Sequence, residues 1–351
     1  MVERVMMKGN EAIAEGAIRA GCRYFFGYPI TPQNEIPEYM SRRMPQIDGV
    51  FLQAESEVSA INMVFGAAGA GARVMTSSSS PGISLKQEGI SYIAGAELPC
   101  LIVNVMRGGP GLGGLDSSQG DYFQATKGGG HGDYRLIVLA PASVQEMYDF
   151  AALAFELADM YRNPVMILTD AIIGQMMEPV VLWNESKRFN MPEKTWAATG
   201  KKNRPRNLIS SVGIPSNILS AINNQLQKKY EEISRKEVRF EKAYSDDDEL
   251  IIIAYGTTSR IAKSAISKAR KNGVKVGLLR PITLWPFPKE EINRLAKRGK
   301  KFLVAEMSSG QMLEDVRLAV NGQAEVGFYS RLTGTLPSVP ELYEEIMKSD
   351  R

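Results

Sequence analysis

Runs of β-branched and aromatic residues, each followed by a stretch of helical periodicity, recur along this chain, and that alternation confines it to a mostly parallel α/β sheet covered by helices. The first series of runs is Tyr24-Phe25-Phe26, Val50-Phe51-Leu52, Arg73-Val74-Met75-Thr76 and residues 100–105, 136–139 and 165–168. Helices are expected between them over residues 10–19, 57–71 and 144–160, the last opening after Ser143 as an N-cap. Parallel neighbours need such crossovers, because each strand must return to the opposite edge of the sheet before the next begins.

After Asp170 the pattern breaks. Residues 176–248 are polar and punctuated by Pro179, Pro192, Pro205 and Pro215. One long charged helix is expected there over residues 216–244, with Ile218, Ile222, Leu226, Tyr230 and Ile233 forming a stripe that can strap two domains or pack on a partner. A second alternation starts at Leu250-Ile251-Ile252-Ile253. It continues through a helix over residues 259–271 closed by Asn272-Gly273, a strand over 274–279, a helix over 289–298, a strand over 301–306, a helix reaching Val320 and a strand over 324–329. The 351 residues are thus expected to divide into a domain at 1–178, a linker at 179–248 and a second α/β domain at 249–351.

Several classes of function are excluded early. With 42 Lys+Arg against 39 Asp+Glu the net charge is +3, which offers no electrostatic case for nucleic acid or an anionic membrane. The longest apolar runs are strand-sized and residues 1–10 lack a signal-peptide pattern, so a cytoplasmic protein is expected. Cys22 and Cys100 cannot assemble a disulfide framework or an iron–sulfur site, and His131 is the single histidine. No metal site is expected in this chain. Its chemistry rests on carboxylates, arginine, hydroxyls or a bound organic cofactor.

Four segments at expected strand ends carry such groups. Phe26-Gly27-Tyr28-Pro29-Ile30-Thr31-Pro32 ends a strand in a turn stiffened by two prolines, which presents the Thr31 hydroxyl at its tip; a stiff corner with no ligand is the competing reading. Gln53-Ala54-Glu55-Ser56-Glu57 opens a helix, where Glu57 can touch a ligand beyond the sheet or simply complement the helix dipole. The small residues that follow at positions 66–71 permit close approach of another backbone or serve tight internal packing. Thr76-Ser77-Ser78-Ser79-Ser80-Pro81-Gly82 is a hydroxyl-rich loop without a nucleotide-binding pattern, its first lysine being Lys86. Arg107 opens the loop Gly108-Gly109-Pro110-Gly111-Leu112-Gly113-Gly114, where its fork can capture a carboxylate or bridge to Asp116 or Asp121. The glycine-rich stretch around His131 has the length of a functional loop, with His131 itself ranked low.

Together with Gly277-Leu278-Leu279-Arg280-Pro281, these segments resemble the 2-oxoacid:ferredoxin oxidoreductases, over nearly the whole chain and specifically the subunit with the pyrimidine-binding domain of the thiamine diphosphate fold. Residues 250–328 resemble the transketolase C-terminal domain. Gly129-Gly130-His131-Gly132, Met307-Ser308-Ser309-Gly310-Gln311-Met312 and the overall length are most similar to the branched-chain (3-methyl-2-oxobutanoate) enzymes, with the 2-oxoglutarate enzymes as near relatives. The resemblance implies oxidative decarboxylation of a 2-oxoacid to an acyl-coenzyme A, with ferredoxin reduced. It matches Glu57 to the glutamate that hydrogen-bonds N1′ of the aminopyrimidine and so makes the 4′-nitrogen an internal base. It matches Thr31 to the substrate-facing threonine and Arg107 to the arginine that holds the substrate carboxylate, with Tyr28, Pro29, Ile30, Ser79 and Gly82 lining the cofactor.

The Gly-Asp-Gly and Asn pattern that binds diphosphate through Mg2+ is absent, since Gly120-Asp121-Tyr122 lacks the second glycine. The resemblance therefore implies half a cofactor site here. A β-type subunit would bring the diphosphate half and Mg2+, and γ-type and ferredoxin-like subunits would complete the complex with its 4Fe-4S clusters. A non-catalytic assembly subunit is the alternative from another class, and a transketolase-type enzyme is disfavoured by the missing diphosphate motif.

Overall fold

The alternation builds two sheets. The computed structural model describes residues 4–183, 192–332 and 334–349; residues 1–3, 333, 350 and 351, together with 184–191 of the expected linker, lie outside the described residues. The first half runs β1 (Arg4–Lys8), α1 (Gly9–Arg19), β2 (Tyr24–Gly27), α2 (Glu35–Arg43), β3 (Val50–Gln53), α3 (Glu57–Gly69), β4 (Val74–Ser78), α4 (Ser80–Gly95), β5 (Leu101–Met106), α5 (Tyr122–Thr126), β6 (Ile137–Leu139), α6 (Val144–Tyr161), β7 (Val165–Asp170), α7 (Ala171–Gln175) and β8 (Met177–Val181). It continues through α8 (Ser216–Lys236), β9 (Phe240–Ala243), β10 (Leu250–Ile253), α9 (Gly256–Lys271), β11 (Val276–Pro281), β12 (Thr283–Trp285), α10 (Lys289–Lys297), β13 (Lys301–Glu306), α11 (Gln311–Val320), β14 (Val326–Ser330) and α12 (Val339–Ser349).

The first sheet has the order β12-β6-β7-β5-β4-β2-β3 and the second β14-β13-β10-β11-β9, while β1 and β8 form a separate antiparallel pair. In the first sheet every pairing is parallel except that of β12 with β6. In the second only β9 runs antiparallel to its neighbour. Parallel strands put their carboxyl ends on one edge, so the segments after β2, β3, β4, β5 and β7 all leave the first sheet on the same side. That edge is where ligands of open α/β sheets bind.

Strand alternation divides the core between the two faces. Leu101, Val103 and Val105 face α1 and α6, whereas Ile102 and Met106 pack with α3 and α4. The second cluster is continuous with Ile251, Leu279 and Phe302 of the second sheet and Met312 of α11, so the halves share one hydrophobic interior. Polar ties reinforce it. The Gln119 side chain donates to the Tyr255 carbonyl at 3.0 Å and accepts from the Met307 N–H at 2.8 Å. Arg280 forks onto Glu146 at 2.6 and 2.9 Å.

Three of the departures from the sequence expectation have a direct physical cause. The serine-rich segment leads straight into α4 instead of remaining a loop, because Ser79 occupies the N-cap position and Pro81 fits the first helical turn, where its missing N–H costs nothing. The long helix stops at Lys236 because residues 240–243 pair as β9 with β11. Its stripe is buried only at Leu226, Tyr230 and Ile233, with Ile218 left exposed. Finally, the Pro-rich corner after β11 contributes β12 to the edge of the first sheet. Among the described residues, no helix is long and apolar enough to cross a membrane.

Candidate active site

The turn after β2 is pinned from inside. Fully buried Gln33 donates its backbone N–H to the Ile30 carbonyl at 3.1 Å and its side-chain Nε2 to the Tyr28 carbonyl at 3.2 Å. Asn10 of α1 donates to the Pro32 carbonyl at 2.9 Å, which fixes the far end. Tyr28, Ile30 and Thr31 are half-buried, Pro29 is exposed, and Asn34 reaches the Thr31 hydroxyl at 3.4 Å.

Arg107 closes this corner from the end of β5. Its Nη1 donates to the Thr31 carbonyl and its Nη2 to the Leu112 carbonyl, each at 2.9 Å. Arg107 is buried at 7% exposure, because the glycine loop folds back on it through Gly114 N–H to Gly108 carbonyl and Gly108 N–H to Asp116 carbonyl contacts. Among the described residues Arg107 has no carboxylate partner, and its Nε is unpartnered. Asp121 accepts instead from Asn104 at 2.9 Å, and burial raises the proton affinity of its carboxyl. A buried guanidinium satisfied only by carbonyls remains a cation without an anion, a setting that favours a carboxylate ligand.

Glu57 lies in the first turn of α3, whose N-cap Ser56 accepts from the Ser59 N–H at 3.2 Å. It is 6% exposed, and no described residue hydrogen-bonds its carboxylate. A carboxylate that merely complements a helix dipole has no need of such burial. The surface it lies on is the first turn of α4. A Cβ at Gly82 would fall 2.7 Å from Glu57 Oε1 and 2.1 Å from Ser78 Oγ, so only glycine lets this carboxylate lie so close to the α4 backbone. The hydroxyls of Ser78 and Ser79 are buried and unpartnered as well.

The candidates thus form two contacts joined by the start of α4. Thr31 meets Arg107, while Glu57 meets Gly82. Ser80 bridges them, because its hydroxyl accepts from the Arg107 N–H at 3.0 Å one residue after Ser79. Orphaned hydroxyls, a bare carboxylate and a glycine cradle fit the polar edge of an aminopyrimidine, and the unpaired arginine beside Thr31 fits a carboxylate. Exposed His131 sits apart in its glycine loop, and a Cβ at Gly66 would meet nothing within 4 Å, so internal packing does not explain that glycine. A separate polar concavity of about 400 Å³ is lined by Glu146, Arg260, Lys263 and Arg280, whose cations are all paired with Glu146, Glu178 or Glu241.

The sequence shows Lys86 without giving it a role. Lys86 belongs to α4 and is fully buried. Its signal was present, since Ile83, Ile90 and Ile93 mark the apolar face of a helix on which a lysine interrupts the pattern.

Comparison with known proteins matches residues 15–245 to the family described as pyruvate flavodoxin/ferredoxin oxidoreductase, thiamine diP-bdg. Residues 248–342 match pyruvate:ferredoxin oxidoreductase core domain II. The ketoisovalerate oxidoreductase subunit VorB of Methanothermobacter thermautotrophicus is 53% identical, over 97% of this chain and 96% of its own length. The 2-oxoglutarate synthase subunit KorA of the same organism is 38% identical over the whole of both chains. A solved 2-oxoglutarate:ferredoxin oxidoreductase from Magnetococcus marinus, with 2-oxoglutarate, coenzyme A and succinyl-CoA bound, superposes with a TM-score of 0.91 at 25% identity. That match covers 99% of this chain, which spans 65% of the longer one.

Proposed function

Because this chain belongs to the pyruvate flavodoxin/ferredoxin oxidoreductase family, we propose that it is the subunit holding the aminopyrimidine half of thiamine diphosphate in a complex that oxidises a branched-chain 2-oxoacid. The substrate is 3-methyl-2-oxobutanoate (ketoisovalerate), converted with coenzyme A to the acyl-CoA and CO2 while ferredoxin is reduced. Higher identity to the ketoisovalerate subunit than to the 2-oxoglutarate subunit, 53% against 38%, supports that choice. The domains divide at about residues 178 and 248, the first carrying the pyrimidine site. A β-type subunit supplies the diphosphate half with Mg2+, and γ-type and ferredoxin-like subunits supply the remaining parts and the iron–sulfur clusters.

The observation that carries this reading is the bare, buried Glu57 carboxylate on the Gly82 backbone. When bound, thiamine diphosphate supplies the carbon nucleophile and the electron sink that a decarboxylation requires. Glu57 holds a proton at N1′ of the pyrimidine. Ser79 and Gly82 form the floor beneath it, and Tyr28, Pro29 and Ile30 form the wall. Arg107 draws the substrate carboxylate toward Thr31, whose hydroxyl orients the 2-oxo group, and the stiff turn excludes water by keeping that wall in place.

The test uses the co-purified complex and ferredoxin- or viologen-reduction with 3-methyl-2-oxobutanoate, 2-oxoglutarate, pyruvate and an aryl pyruvate. Glu57→Gln should abolish most turnover while the complex still assembles. Retained turnover in that variant would sink the role of Glu57, and a wild-type preference for 2-oxoglutarate would sink the substrate.

A further inference from the structure

Lys86 has no part in the roles above, yet its position on α4 ties it to Glu57. It lies one turn beyond Gly82 and three residues before Gly89, which places it on the face that α4 turns toward α3. The helices approach closely there, since a Cβ at Gly89 would fall 2.5 Å from Ile61 Cγ2. Glu57 and Ile61 are themselves one turn apart on α3. Two glycines of α4 thus receive two successive side chains of α3, and Lys86 stands between them.

The lysine is anchored by only part of its donor set. Its Nζ donates to Thr76 Oγ1 at 2.8 Å and to the Ser77 carbonyl at 3.0 Å, at the end of β4. An ammonium has three donors, so one N–H is left over. Both of its acceptors are neutral, and among the described residues no carboxylate forms an ion pair with it. A buried ammonium in that state is costly unless a negative charge lies nearby. Glu57 brings one there, since its Oε1 lies 2.7 Å from the Cβ position of Gly82, one turn before Lys86 on α4.

We propose that Lys86 is a positioning residue for Glu57, its ammonium fixed on the end of β4 so that a buried positive charge holds the Glu57 carboxylate against the first turn of α4. The inference rests on the role given to Glu57 above. Burial lowers the proton affinity of Lys86 and the Glu57 charge raises it, leaving it at about 7, so the lysine carries its charge through the acid range where carboxylates titrate. Two other charged residues border the start of α4. The Arg107 backbone donates to and accepts from the Ser80 hydroxyl, and Asp121 accepts from Asn104. Neither pairs with Lys86. From β4 the lysine meets only the hydroxyl of Thr76 and the carbonyl of Ser77.

The experiment compares the assembled wild-type complex with Lys86→Met, Thr76→Val and Glu57→Gln variants, measuring kcat/KM for the 2-oxoacid and equilibrium binding of thiamine diphosphate, both against pH. Losing a buried cation makes the charged form of a neighbouring carboxylate costlier, so Lys86→Met should move the acid limb of both profiles upward. KM for coenzyme A should not change. Thr76→Val removes one anchor and keeps the charge, and should move the limb the same way by less. An unmoved limb in both variants overturns the proposal, and should Lys86→Met fail to assemble, Thr76→Val decides. Turnover retained by Glu57→Gln defeats the role of Glu57 itself, whereas an inactive Glu57→Gln beside an unmoved Lys86→Met limb defeats only the role of Lys86.

Discussion

Gly82→Ala separates the position of Glu57 from its presence. The added Cβ would sit 2.7 Å from Glu57 Oε1, so reaching an ordinary contact of 3.4 Å displaces the carboxylate by about 0.7 Å. Stability should change little. Alanine gains ~1 kcal/mol over glycine in a helix, and overpacking costs ~1–3 kcal/mol, leaving a net loss of at most about 2 kcal/mol. Turnover should fall far more, by up to ~10²-fold, because catalytic groups tolerate displacements of well under 1 Å. Steady-state kinetics and thermal unfolding of the same preparation would register the disparity. Ser78→Ala, measured alone, sets the baseline, since it loses one of the hydroxyls that fit the aminopyrimidine edge. In the double variant it removes the closer 2.1 Å conflict and leaves the one with Glu57. A Gly82→Ala enzyme of wild-type rate, or a double variant as active as Ser78→Ala alone, would refute the geometric reasoning.

Two further outcomes follow from buried cations. The Lys86 proton affinity is depressed in the folded chain relative to an unfolded lysine, so the unfolded state binds more protons between about pH 7 and 10.5, and stability should rise with pH across that window. Lys86→Met removes this contribution, so denaturant melts should show wild type gaining on the variant as pH rises; parallel curves would contradict the assignment. Arg107→Lys cannot reach both the Thr31 and Leu112 carbonyls and forfeits a charge-assisted hydrogen bond of ~1.5–3 kcal/mol. It should raise KM for the 2-oxoacid by roughly tenfold or more and speed proteolysis within residues 108–116, and unchanged values of both would count against it.

The sheet order could not be read from sequence, but the strand runs could, because β-branched segments bounded by glycine and helical stretches are local signals. Helix α6 shows its N-cap as plainly, with Ser143 accepting from the Glu146 N–H at 3.1 Å. α4 was hidden because four serines, a proline and a glycine are loop residues by composition and helix-start residues by position, and only the later apolar spacing decides between them. The candidate site was legible as residue types at strand ends. What was not legible is long-range: that the glycine loop would fold back over Arg107, and that Glu57 would rest on a glycine 25 positions away. Such contacts depend on how α3 and α4 meet, which no local pattern encodes.

Strand β12 is drawn from the later half of the chain but completes the sheet of the earlier half. This exchange limits how such a gene can be rearranged. A fragment ending near residue 248 would leave the backbone groups of β6 exposed along an open sheet edge, ready to pair with any other chain. The later fragment would carry a strand with no sheet to join. Fission of this chain into separately encoded halves therefore calls for a new cover over β6, and swapping the second half for a relative's requires that the relative bring a strand able to dock in the same register.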